Sequence, residues 1–416
     1  MKELLLSKEV IKRVIEEDKT FKEAIKEVFL ANEKDAELTP IVSALSGCEL
    51  RHHLFLSKLV KEFDLGDNKY LLLLALANNF FLRRIDKEKV TSFIKETLNE
   101  SYNDKINELL TFDGAALDSL GESVDHSSME FVSLRFNVPS YLLKMWFKHY
   151  GRSLTYKVLK KNIKPSNQYF RINTMKISEE DFLKEHPSFV SSNVKDVVYL
   201  STKENIHKLK AYQNYEIFNI RLALKEILDK VYTDDIEEMT LYLGDDKAAT
   251  RDLYVRTNKK AGLRVAVNNL DEHPDLLRLI RLEKCKNVTY FVPNDYSLMD
   301  LAITSPQDLV VVYPKSSSFD KIRKYPDYLL HFKQDSLDSL IDNQKASLEG
   351  FSKFVRPGCK LVYIVDTLDK KESVAIINDF VNRHKEFELI ESKQYFSFED
   401  KDTLMYYAIL KKKDND

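Results

Sequence analysis

Cysteine and glycine are both scarce in this 416-residue sequence. Its 3 cysteines, Cys48, Cys285 and Cys359, lie far apart and form no CxxC pair. Such spacing argues against a disulfide framework and against a structural zinc site, and it favours a reducing compartment. Glycine occurs only 9 times. Because loops that cradle a phosphate or a cofactor usually need several glycines, the composition gives little support for such a loop.

Long hydrophobic runs are missing as well. The longest, Leu71–Ala77, is well below the roughly 18 residues that a membrane span needs. The first residues, MKELLLSKEVIKR, lack the apolar core and the small-residue cleavage site of a signal peptide. The formal charge of -2 means that any contact with nucleic acid must come from local basic patches. We therefore expect a cytoplasmic protein of two or three domains, with no membrane contact and no bound metal.

Residues 1–112 have the apolar periodicity of amphipathic helices. Thr20 and Glu23 form the pattern of a capping box at the start of one of them. We expect an all-α domain here. Residues 113–128 lose the periodicity and gain glycine, serine and aspartate, which predicts a linker.

Residues 129–200 combine basic and aromatic side chains. The segment Ser133–Gly151 holds the only tryptophan, Trp146, and a basic strand is predicted at Gln168–Asn173. Basic residues interleaved with aromatic ones can pair with phosphates and stack on bases. Composition alone favours a simpler interpretation, in which the aromatic residues are core and the lysines are a solvated face. Either way, the region is expected to form a small α/β subdomain.

From residue 201 onwards, candidate strands alternate with helices. The strands are Met239–Leu243, Leu263–Asn268, Val288–Val292, Leu309–Tyr313, Lys360–Val365, Phe387–Glu391 and Leu404–Lys411. Strands separated by helices predict a parallel, doubly wound sheet, and the last two, with no helix between them, predict an antiparallel hairpin at one edge. We therefore expect a Rossmann-like α/β domain with seven strands, whose loops at the carboxyl ends of the strands share one crevice.

Four segments then agree with one family in one order. They are SLRFNVPSYLLKMWFKHYG, FRINTMKIS, the stretch Val310–Asp327 with its proline turn and its closing Arg-Lys-Tyr-Pro-Asp, and VRPGCKLVY, which follows Gln344. Together they resemble the bacterial 16S ribosomal RNA cytosine-C5 methyltransferases, in particular the branch with an N-terminal NusB-type domain. The resemblance implies a multidomain protein: an all-α NusB-like RNA-binding domain at 1–112, a small α/β RNA-binding subdomain at 129–200 and a class I methyltransferase-like domain at 201–416.

The resemblance fails at the catalytic residues. In this family a cysteine thiolate adds to C6 of cytosine, and a second cysteine assists release of the product. The nucleophile position is occupied here by Asp366, the position of the second cysteine by Lys315, and that of an aspartate that would hydrogen-bond the base by Val312. A carboxylate is a far weaker nucleophile towards a pyrimidine, so we assign no catalytic residue. The simplest structural interpretation of Lys315 and Asp366 is an ion pair.

The resemblance also implies S-adenosylmethionine as cofactor. The corresponding positions are Gly244, Asp245, Asn268 and Asp295. Tyr242 stands where the family has an aspartate, Ala248 and Ala249 replace its glycine pair, and Asn268 replaces the acidic residue that holds the ribose. Several such changes in one crevice indicate either relaxed selection for catalysis or a different ligand.

For RNA, the basic and aromatic composition and the resemblance indicate six candidate contacts. These are Arg135, Lys164, Arg171, Asn173, Arg323 and Lys324. The sequence thus predicts a monomeric member of this family that binds 16S ribosomal RNA or a small-subunit precursor and has lost catalysis, a pseudoenzyme. Two alternatives stay open: an active methyltransferase with altered catalytic residues or target, and a non-enzymatic scaffold for protein partners.

Overall fold

The computed structural model describes residues 1–164, 167–202, 204–244, 247–269, 286–293 and 303–414, apart from the side chains of Glu122 and Ser123. The chain divides into two compact units. The first is Met1–Lys164 with Lys321–Lys333, and the second is Pro165–Asp320 with Gln334–Asp416. Within the ranges described, no helix is both long and apolar enough to cross a membrane.

The first unit is helical. Its longer helices are α1 (Lys2–Glu16), α2 (Phe21–Ala31), α3 (Thr39–Arg51), α4 (His53–Val60), α5 (Lys69–Ala77), α6 (Lys87–Leu98), α7 (Asp104–Thr111), α8 (Met129–Phe136) and α9 (Ser140–Asn162). The segment Lys321–Lys333 adds a short helix, Tyr328–His331. α9 is broken at Gly151, whose φ of 75° is outside the helical region. The predicted all-α domain is therefore present, and it extends beyond residue 112.

Local sequence explains the beginning of α2 and the burial of α5. The Thr20 hydroxyl accepts from the Glu23 amide at 3.3 Å, and the Glu23 carboxylate accepts from the Thr20 amide at 3.0 Å, which confirms the predicted capping box. Every residue of α5 from Tyr70 to Ala77 is buried. A helix that is apolar on all sides lies in the centre of its domain, as α5 does here.

The segment 113–128, predicted as a linker, is part of the helical unit. Leu120 and Val124 are buried in the same apolar cluster as Leu72, and so are Phe131 and Leu134 of α8. The loss of periodicity in the sequence reflects a short 3-10 helix, Ala116–Ser123, and not a loss of packing. The first boundary therefore falls after Lys164.

A small antiparallel sheet opens the second unit. It contains β1 (Tyr169–Ile172), β2 (Phe189–Ser191), β3 (Val197–Leu200) and β4 (Ile217–Ile220) in the order β2-β3-β1-β4. The helices α10 (Glu179–Glu185), α11 (Lys210–Gln213) and α12 (Leu222–Val231) accompany it. Because β4 pairs with β1 along its whole length, the predicted boundary at residue 200 cuts through this sheet.

The large sheet has seven strands in the order β10-β11-β9-β8-β5-β6-β7. They are β5 (Glu238–Leu243), β6 (Gly262–Val267), β7 (Val288–Phe291), β8 (Gln307–Tyr313), β9 (Val355–Val365), β10 (Phe387–Tyr395) and β11 (Met405–Lys412). Its helices include α13 (Ala248–Thr257), α14 (Ser336–Ser352) and α15 (Val374–Arg383). β11 runs antiparallel to β9 and β10, and the other pairs are parallel, which confirms the predicted Rossmann-like sheet with its hairpin edge.

The strand order places three loops at one edge of the sheet. β5, β8 and β9 are adjacent and parallel, and they end at Leu243, Tyr313 and Val365. The residues that follow them therefore meet at the carboxyl ends of the strands, where such sheets bind ligands. Lys315 and Asp366, which the resemblance equates with the family's two cysteines, lie in two of these loops.

Candidate active site

Asp366 follows directly on β9, and its carboxylate is fully engaged. The Arg221 guanidinium approaches both oxygens, with Nη1 at 2.7 Å from Oδ1 and Nη2 at 2.8 Å from Oδ2. The Tyr313 hydroxyl lies 3.0 and 2.9 Å from the same two oxygens. Asp366 is 5% exposed. A bidentate arginine and a buried tyrosine thus hold the carboxylate that stands at the nucleophile position.

Arg221, which no sequence motif marks, is thus a cation that pairs with Asp366. Arg221 lies between β4 and α12, and its guanidinium also comes within 3.7 Å of Asp320. No motif surrounds it in the sequence. Only the pairing of β4 in the small sheet brings this arginine to the end of β9, and this pairing was not predicted.

The serines after β8 fasten this loop to the loop after β9. Ser316 Oγ accepts from the Asp366 amide at 3.2 Å and lies 3.3 Å from the Asp366 carbonyl oxygen, to which it can donate. The hydroxyls of Ser317 and Thr367 are 2.8 Å apart. All of these residues are buried. The two loops that would carry the cysteines in the family are packed against each other here.

A buried carboxylate, Glu372, reinforces the same contact. It is 0% exposed and accepts from the Ser317 amide at 2.8 Å and from the Gln344 amide group at 2.9 Å, and also from the Thr367 hydroxyl. Burial raises the pKa of Glu372, and these hydrogen bonds oppose the rise. Gln344 also donates to the Lys315 carbonyl at 3.0 Å. The sequence around Glu372 carries no signal for this role, whereas Gln344 was part of the family resemblance.

Gly244 was predicted to contact the cofactor, and the structure shows it between two loops. Its amide donates to the Tyr313 carbonyl at 2.7 Å. A Cβ atom at this position would lie 2.1 Å from the Lys315 backbone nitrogen and 2.4 Å from the Pro314 carbonyl carbon. Glycine is therefore required because the backbone after β5 passes directly against the backbone after β8.

Two of the substituted positions contact each other. The Tyr242 hydroxyl donates to Asn268 Oδ1 at 2.8 Å, and the Tyr242 ring stacks on Phe351 with centroids 5.0 Å apart. Tyr242 is buried, while Asn268, which follows β6, is exposed. The amide at the ribose position is thus held by the side chain that replaces the family's aspartate. These two substitutions depend on each other structurally.

The described residues do not fit the family's mode of holding S-adenosylmethionine. Ala248 and Ala249, in place of the glycine pair, begin α13 and are 8% and 0% exposed, so that methyl groups pack where a bare backbone would be needed. Asn268 brings no charge to the ribose position. The predicted positions Asp245 and Asp295 lie outside the described residues.

Val312, at the position of the base-binding aspartate, belongs to the core. It is 0% exposed and lies in the apolar cluster that includes Val310, Tyr363 and Phe351. Its side chain offers no hydrogen bond to a base.

The cysteines that the structure describes are not activated. Burial raises the pKa of Cys48, in the helical unit, to about 12. Burial also raises the pKa of Cys359, which lies near the start of β9 and so away from Asp366 at its end. Cys285 lies outside the described residues.

The six candidate RNA contacts divide into two sets. Arg135, Lys164 and Lys324 are exposed, as a contact with phosphate requires. Arg171, Asn173 and Arg323 are buried, with 4%, 3% and 5% exposure. The second set is a correction to the sequence analysis, because a guanidinium or amide enclosed by protein has no access to RNA.

Arg171 is enclosed by carboxylates. Its Nε donates to Asp252 Oδ1 at 3.0 Å, and its Nη1 lies 3.3 Å from Asp196 Oδ2. Arg256 holds the other oxygen of Asp252 at 2.5 Å and reaches Asp229 at 2.8 Å. Asp252 is 0% exposed. Arg171 thus belongs to a buried chain of alternating charges that connects β1 with α13.

Asn173 and Arg323 have backbone partners. Asn173 donates its amide to the Tyr215 carbonyl at 3.1 Å and accepts from the Met175 amide at 3.2 Å. Arg323 Nε donates to the Lys164 carbonyl at 3.2 Å. Both side chains fasten one segment of the chain to another.

In the aromatic segment of α9 the simpler interpretation holds. Trp146 is 0% exposed, while Lys144 and Lys148 are exposed. The tryptophan is core, and these lysines form a solvated face.

Comparison with known proteins was made for sequence and for structure. No protein-family model matches the chain. The chain is 24% identical over 262 residues to the probable ribosomal RNA small subunit methyltransferase B of Bacillus subtilis, a match that covers 60% of this chain and 57% of the relative. It is 35% identical over 78 residues to the ribosomal RNA small subunit methyltransferase B of Xanthomonas campestris, with 19% and 18% covered. The chain thus matches little more than half of one relative and less than a fifth of the other.

Solved structures share the fold. The protein PH0851 superposes with a TM-score of 0.75 at 18% identity, covering 99% of this chain and 98% of that one. A methyltransferase homolog protein from Pyrococcus horikoshii gives 0.58 at 15% identity, with 69% and 99% covered. NSun6 from Pyrococcus horikoshii, solved with SFG, gives 0.58 at 14% identity, with 67% and 99% covered. The solved structures show the shared fold, and the sequence relatives named above support the resemblance to ribosomal RNA cytosine-C5 methyltransferases.

Proposed function

We propose that this protein is an RNA-binding member of its family that does not methylate cytosine C5. The observation that supports this proposal is the environment of Asp366, whose carboxylate is held by Arg221 and Tyr313 at the position of the nucleophile. The family reaction requires a thiolate that adds to C6 of the base. A carboxylate whose two oxygens are both engaged does not supply that step.

The second support is the fixed geometry of the neighbouring loops. The two loops are connected directly by Ser316, Ser317 and Thr367. The buried Glu372 strengthens this connection by accepting hydrogen bonds from Ser317 and Gln344. A buried and hydrogen-bonded network of this kind rigidifies the segments that it joins. The network takes the place of a site in which a base and two cysteines would have to meet.

For the cofactor, we propose that S-adenosylmethionine does not bind as it does in active family members. The structure of NSun6 contains SFG, an analogue of S-adenosylmethionine, so the shared fold is compatible with such ligands. In this chain the buried Ala248 and Ala249 and the uncharged Asn268 oppose that mode of binding.

For the partner, we propose 16S ribosomal RNA or a small-subunit precursor. Both sequence relatives are named for the ribosomal RNA of the small subunit. The exposed Arg135, Lys164 and Lys324 are suited to contact the phosphate backbone. We further propose that the helical unit is a NusB-like RNA-binding domain, and that the protein acts in the cytoplasm as a monomer.

A methyl-transfer assay tests the proposal directly. The full chain is incubated with labelled S-adenosylmethionine and small-subunit RNA, and the RNA is digested and its nucleosides are separated. We expect no label in 5-methylcytidine and, in calorimetry, no heat with S-adenosylmethionine at millimolar concentration. Label in 5-methylcytidine would refute the proposal, and label on another nucleoside would establish the alternative of altered chemistry.

A salt titration tests the RNA contact. If phosphates are bound, the affinity for small-subunit RNA falls steadily as salt concentration rises. The triple variant of Arg135, Lys164 and Lys324 to alanine is expected to flatten that dependence. A protein with no affinity for RNA at low salt would instead favour the scaffold alternative.

A further inference from the structure

We propose that a shallow cleft in the helical unit binds one unpaired nucleotide of the RNA, with its base stacked on Tyr325 and its flanking phosphates on Lys164 and Lys324. The inference rests on the proposed function, since RNA is taken as the partner. It goes further in naming the place, the single-stranded state of the ligand and the residue that stacks on the base.

Four stretches of the chain that are distant in sequence line this cleft. The end of α9 supplies Ile163, and the segment after β8 supplies Ile322 and Tyr325. Arg323 Nε donates to the Lys164 carbonyl at 3.2 Å, and Arg51 Nη1 donates to the Arg323 carbonyl at 3.3 Å. The cleft has a volume of about 80 Å³. The hydrogen bond of the buried Arg323 thus connects the backbone at Lys164 with the segment that contains Lys324 and Tyr325.

The mouth of the cleft is apolar although it is open to solvent. Ile163 is 61% exposed and Tyr325 is 39% exposed, and both line the cleft. Most large apolar side chains of this unit are buried in one cluster. An exposed aromatic ring beside an exposed aliphatic chain provides a flat apolar platform, which is the surface on which unpaired bases stack.

Exposed basic residues adjoin the lining residues of this platform in the sequence. Lys164 follows Ile163 in the chain and Lys324 precedes Tyr325, and both are exposed, as is Arg51. The Lys324 ammonium lies 5.4 Å from the centroid of the Tyr325 ring. Burial lowers the pKa of His52, another lining residue, to about 4, so that this imidazole is neutral at physiological pH. The arrangement combines positive charge for the backbone with a stacking surface for a base.

The arrangement selects single strands. A base in a duplex presents only its edges, whereas an unpaired base presents its faces to an aromatic side chain. Lysine ammonium groups bind phosphate as point charges and read no sequence. The cleft is therefore expected to prefer loops and other unpaired segments, with little discrimination among the bases.

The test uses the full chain and fluorescent oligouridine and oligoadenosine, with an RNA duplex of the same length as comparison. Replacing Tyr325→Ala is expected to weaken single-strand binding by about 5- to 150-fold, the usual effect of losing one stacked base. Tyr325→Phe retains the ring and is expected to bind like the wild type. The salt dependence of Tyr325→Ala should equal that of the wild type, because the tyrosine neutralises no phosphate.

Two lysine variants supply the complementary result. Lys164→Ala and Lys324→Ala are each expected to reduce the slope of log affinity against log salt by about 0.7, the value for one phosphate contact on a single strand. A 2-aminopurine base placed in the oligonucleotide should be quenched on binding to the wild type and to Tyr325→Phe, and less on binding to Tyr325→Ala.

Tyr199→Ala is the matched control. Tyr199 is 37% exposed, like Tyr325, but it lies on β3 in the small sheet of the second unit. The Tyr199→Ala variant should have the same affinity for the single strands and the same quenching of 2-aminopurine as the wild type. If the wild type binds RNA and Tyr325→Ala binds equally well, or if Tyr199→Ala is equally impaired, the cleft is refuted while the proposed function stands. If the wild type binds no RNA, the proposed function fails and the cleft with it.

Discussion

Arg171 shows how burial decides what a basic residue does. Its guanidinium lies between Asp196 and Asp252, and Arg256 holds the other side of Asp252. A charge inside a protein is tolerated because opposite charges and hydrogen bonds surround it, and removing one partner leaves the other uncompensated. An exposed arginine in the same motif could contact RNA. The sequence does not show whether an arginine is exposed, so it could not distinguish the two roles.

Replacing Arg171→Ala is expected to lower the free energy of unfolding by about 3–5 kcal/mol, because it removes a partner of a buried carboxylate. Urea denaturation measures the change. Lys164→Ala, at an exposed position in the first unit, is the control and should stay within about 0.5 kcal/mol of the wild type. Equal and small effects in both variants would contradict the structural role of Arg171.

Two glycines give opposite expectations for substitution by alanine. At Gly244 a Cβ atom would lie 2.1 Å from the Lys315 backbone nitrogen, so Gly244→Ala should cost more than the about 1–3 kcal/mol typical of overpacking. At Gly47, within α3, the nearest atom would be a Phe21 ring carbon at 3.5 Å, which is an ordinary contact. Gly47→Ala should therefore stabilise the protein by about 0.5–1 kcal/mol, the helix preference for alanine. Thermal melts of both variants measure the two effects. A melting temperature of Gly47→Ala below that of the wild type would contradict the prediction for Gly47.

At the scale of elements, the sequence predicts those helices and strands that have a local pattern of apolar residues. The apolar runs in β8 and at the end of β9 mark central strands of the large sheet, because strands buried on both faces need continuous apolar residues. It does not predict which distant groups meet. Arg221 reaches Asp366 only through the pairing of β4, and Glu372 reaches Ser317 only through the packing of two loops. The sequence therefore shows which chemical groups are present at the site, whereas the contacts between those groups depend on tertiary structure.

The segment Lys321–Lys333 illustrates such a contact. Asp327 accepts from the Phe21 amide at 2.9 Å, at the first residue of α2. His331 places Nδ1 at 2.8 Å from Asp18 and Nε2 at 3.5 Å from Asp327. A distant carboxylate thus supplements the local Thr20 cap at the start of a helix, where N–H groups lack intrahelical partners. This contact gives Asp327 a structural role in the first unit.

This contact should depend on pH. The Asp327 carboxylate beside the imidazole raises the pKa of His331 above its ordinary value of 6.5. The contribution of this ion pair is therefore complete below pH 6.5 and is lost as pH rises through the raised pKa. Although burial opposes it, the hydrogen bond with His331 lowers the pKa of Asp327 below 3.8, so this contribution is lost only as pH falls through the lowered value. The contact is strongest between these limits.

The variant His331→Gln isolates the histidine. In urea denaturation, the stability difference between wild type and His331→Gln is expected to be larger at about pH 5 than at alkaline pH, because the contribution of the charged imidazole is lost as pH rises through the raised pKa. A difference that is the same at both values would show that the charge of His331 makes no contribution.

At the scale of the whole molecule, the two units are interrupted in sequence. The second unit consists of Pro165–Asp320 and Gln334–Asp416, and the residues between them belong to the first. The family resemblance followed the order of motifs along the chain and so predicted contiguous domains. A compact unit is defined by its contacts and not by the order of its residues in the chain. The segment Lys321–Lys333 contacts α2 and α3, since Asp327 accepts from the Phe21 amide and the Arg323 carbonyl accepts from Arg51.

A fragment experiment checks this division. Residues 1–164 alone are expected to be less stable than the same residues joined through a flexible linker to 321–333, because only the second form retains the partner of Phe21 and Arg51. Hydrogen exchange at the beginning of α2 measures the effect locally, and Asp327→Ala in the linked form is its control. Equal protection in all three would place the segment outside the first unit.

The interrupted order also has a consequence for the synthesis of the chain. Lys321 is made about 160 residues after Lys164, which takes roughly 8–30 seconds at the usual rates of about 5–20 residues per second. β1 to β8 are synthesised within that interval, before the carboxylate of Asp327 exists to accept from the Phe21 amide. The helical unit, although first in the sequence, is therefore completed only after most of the large sheet has been translated.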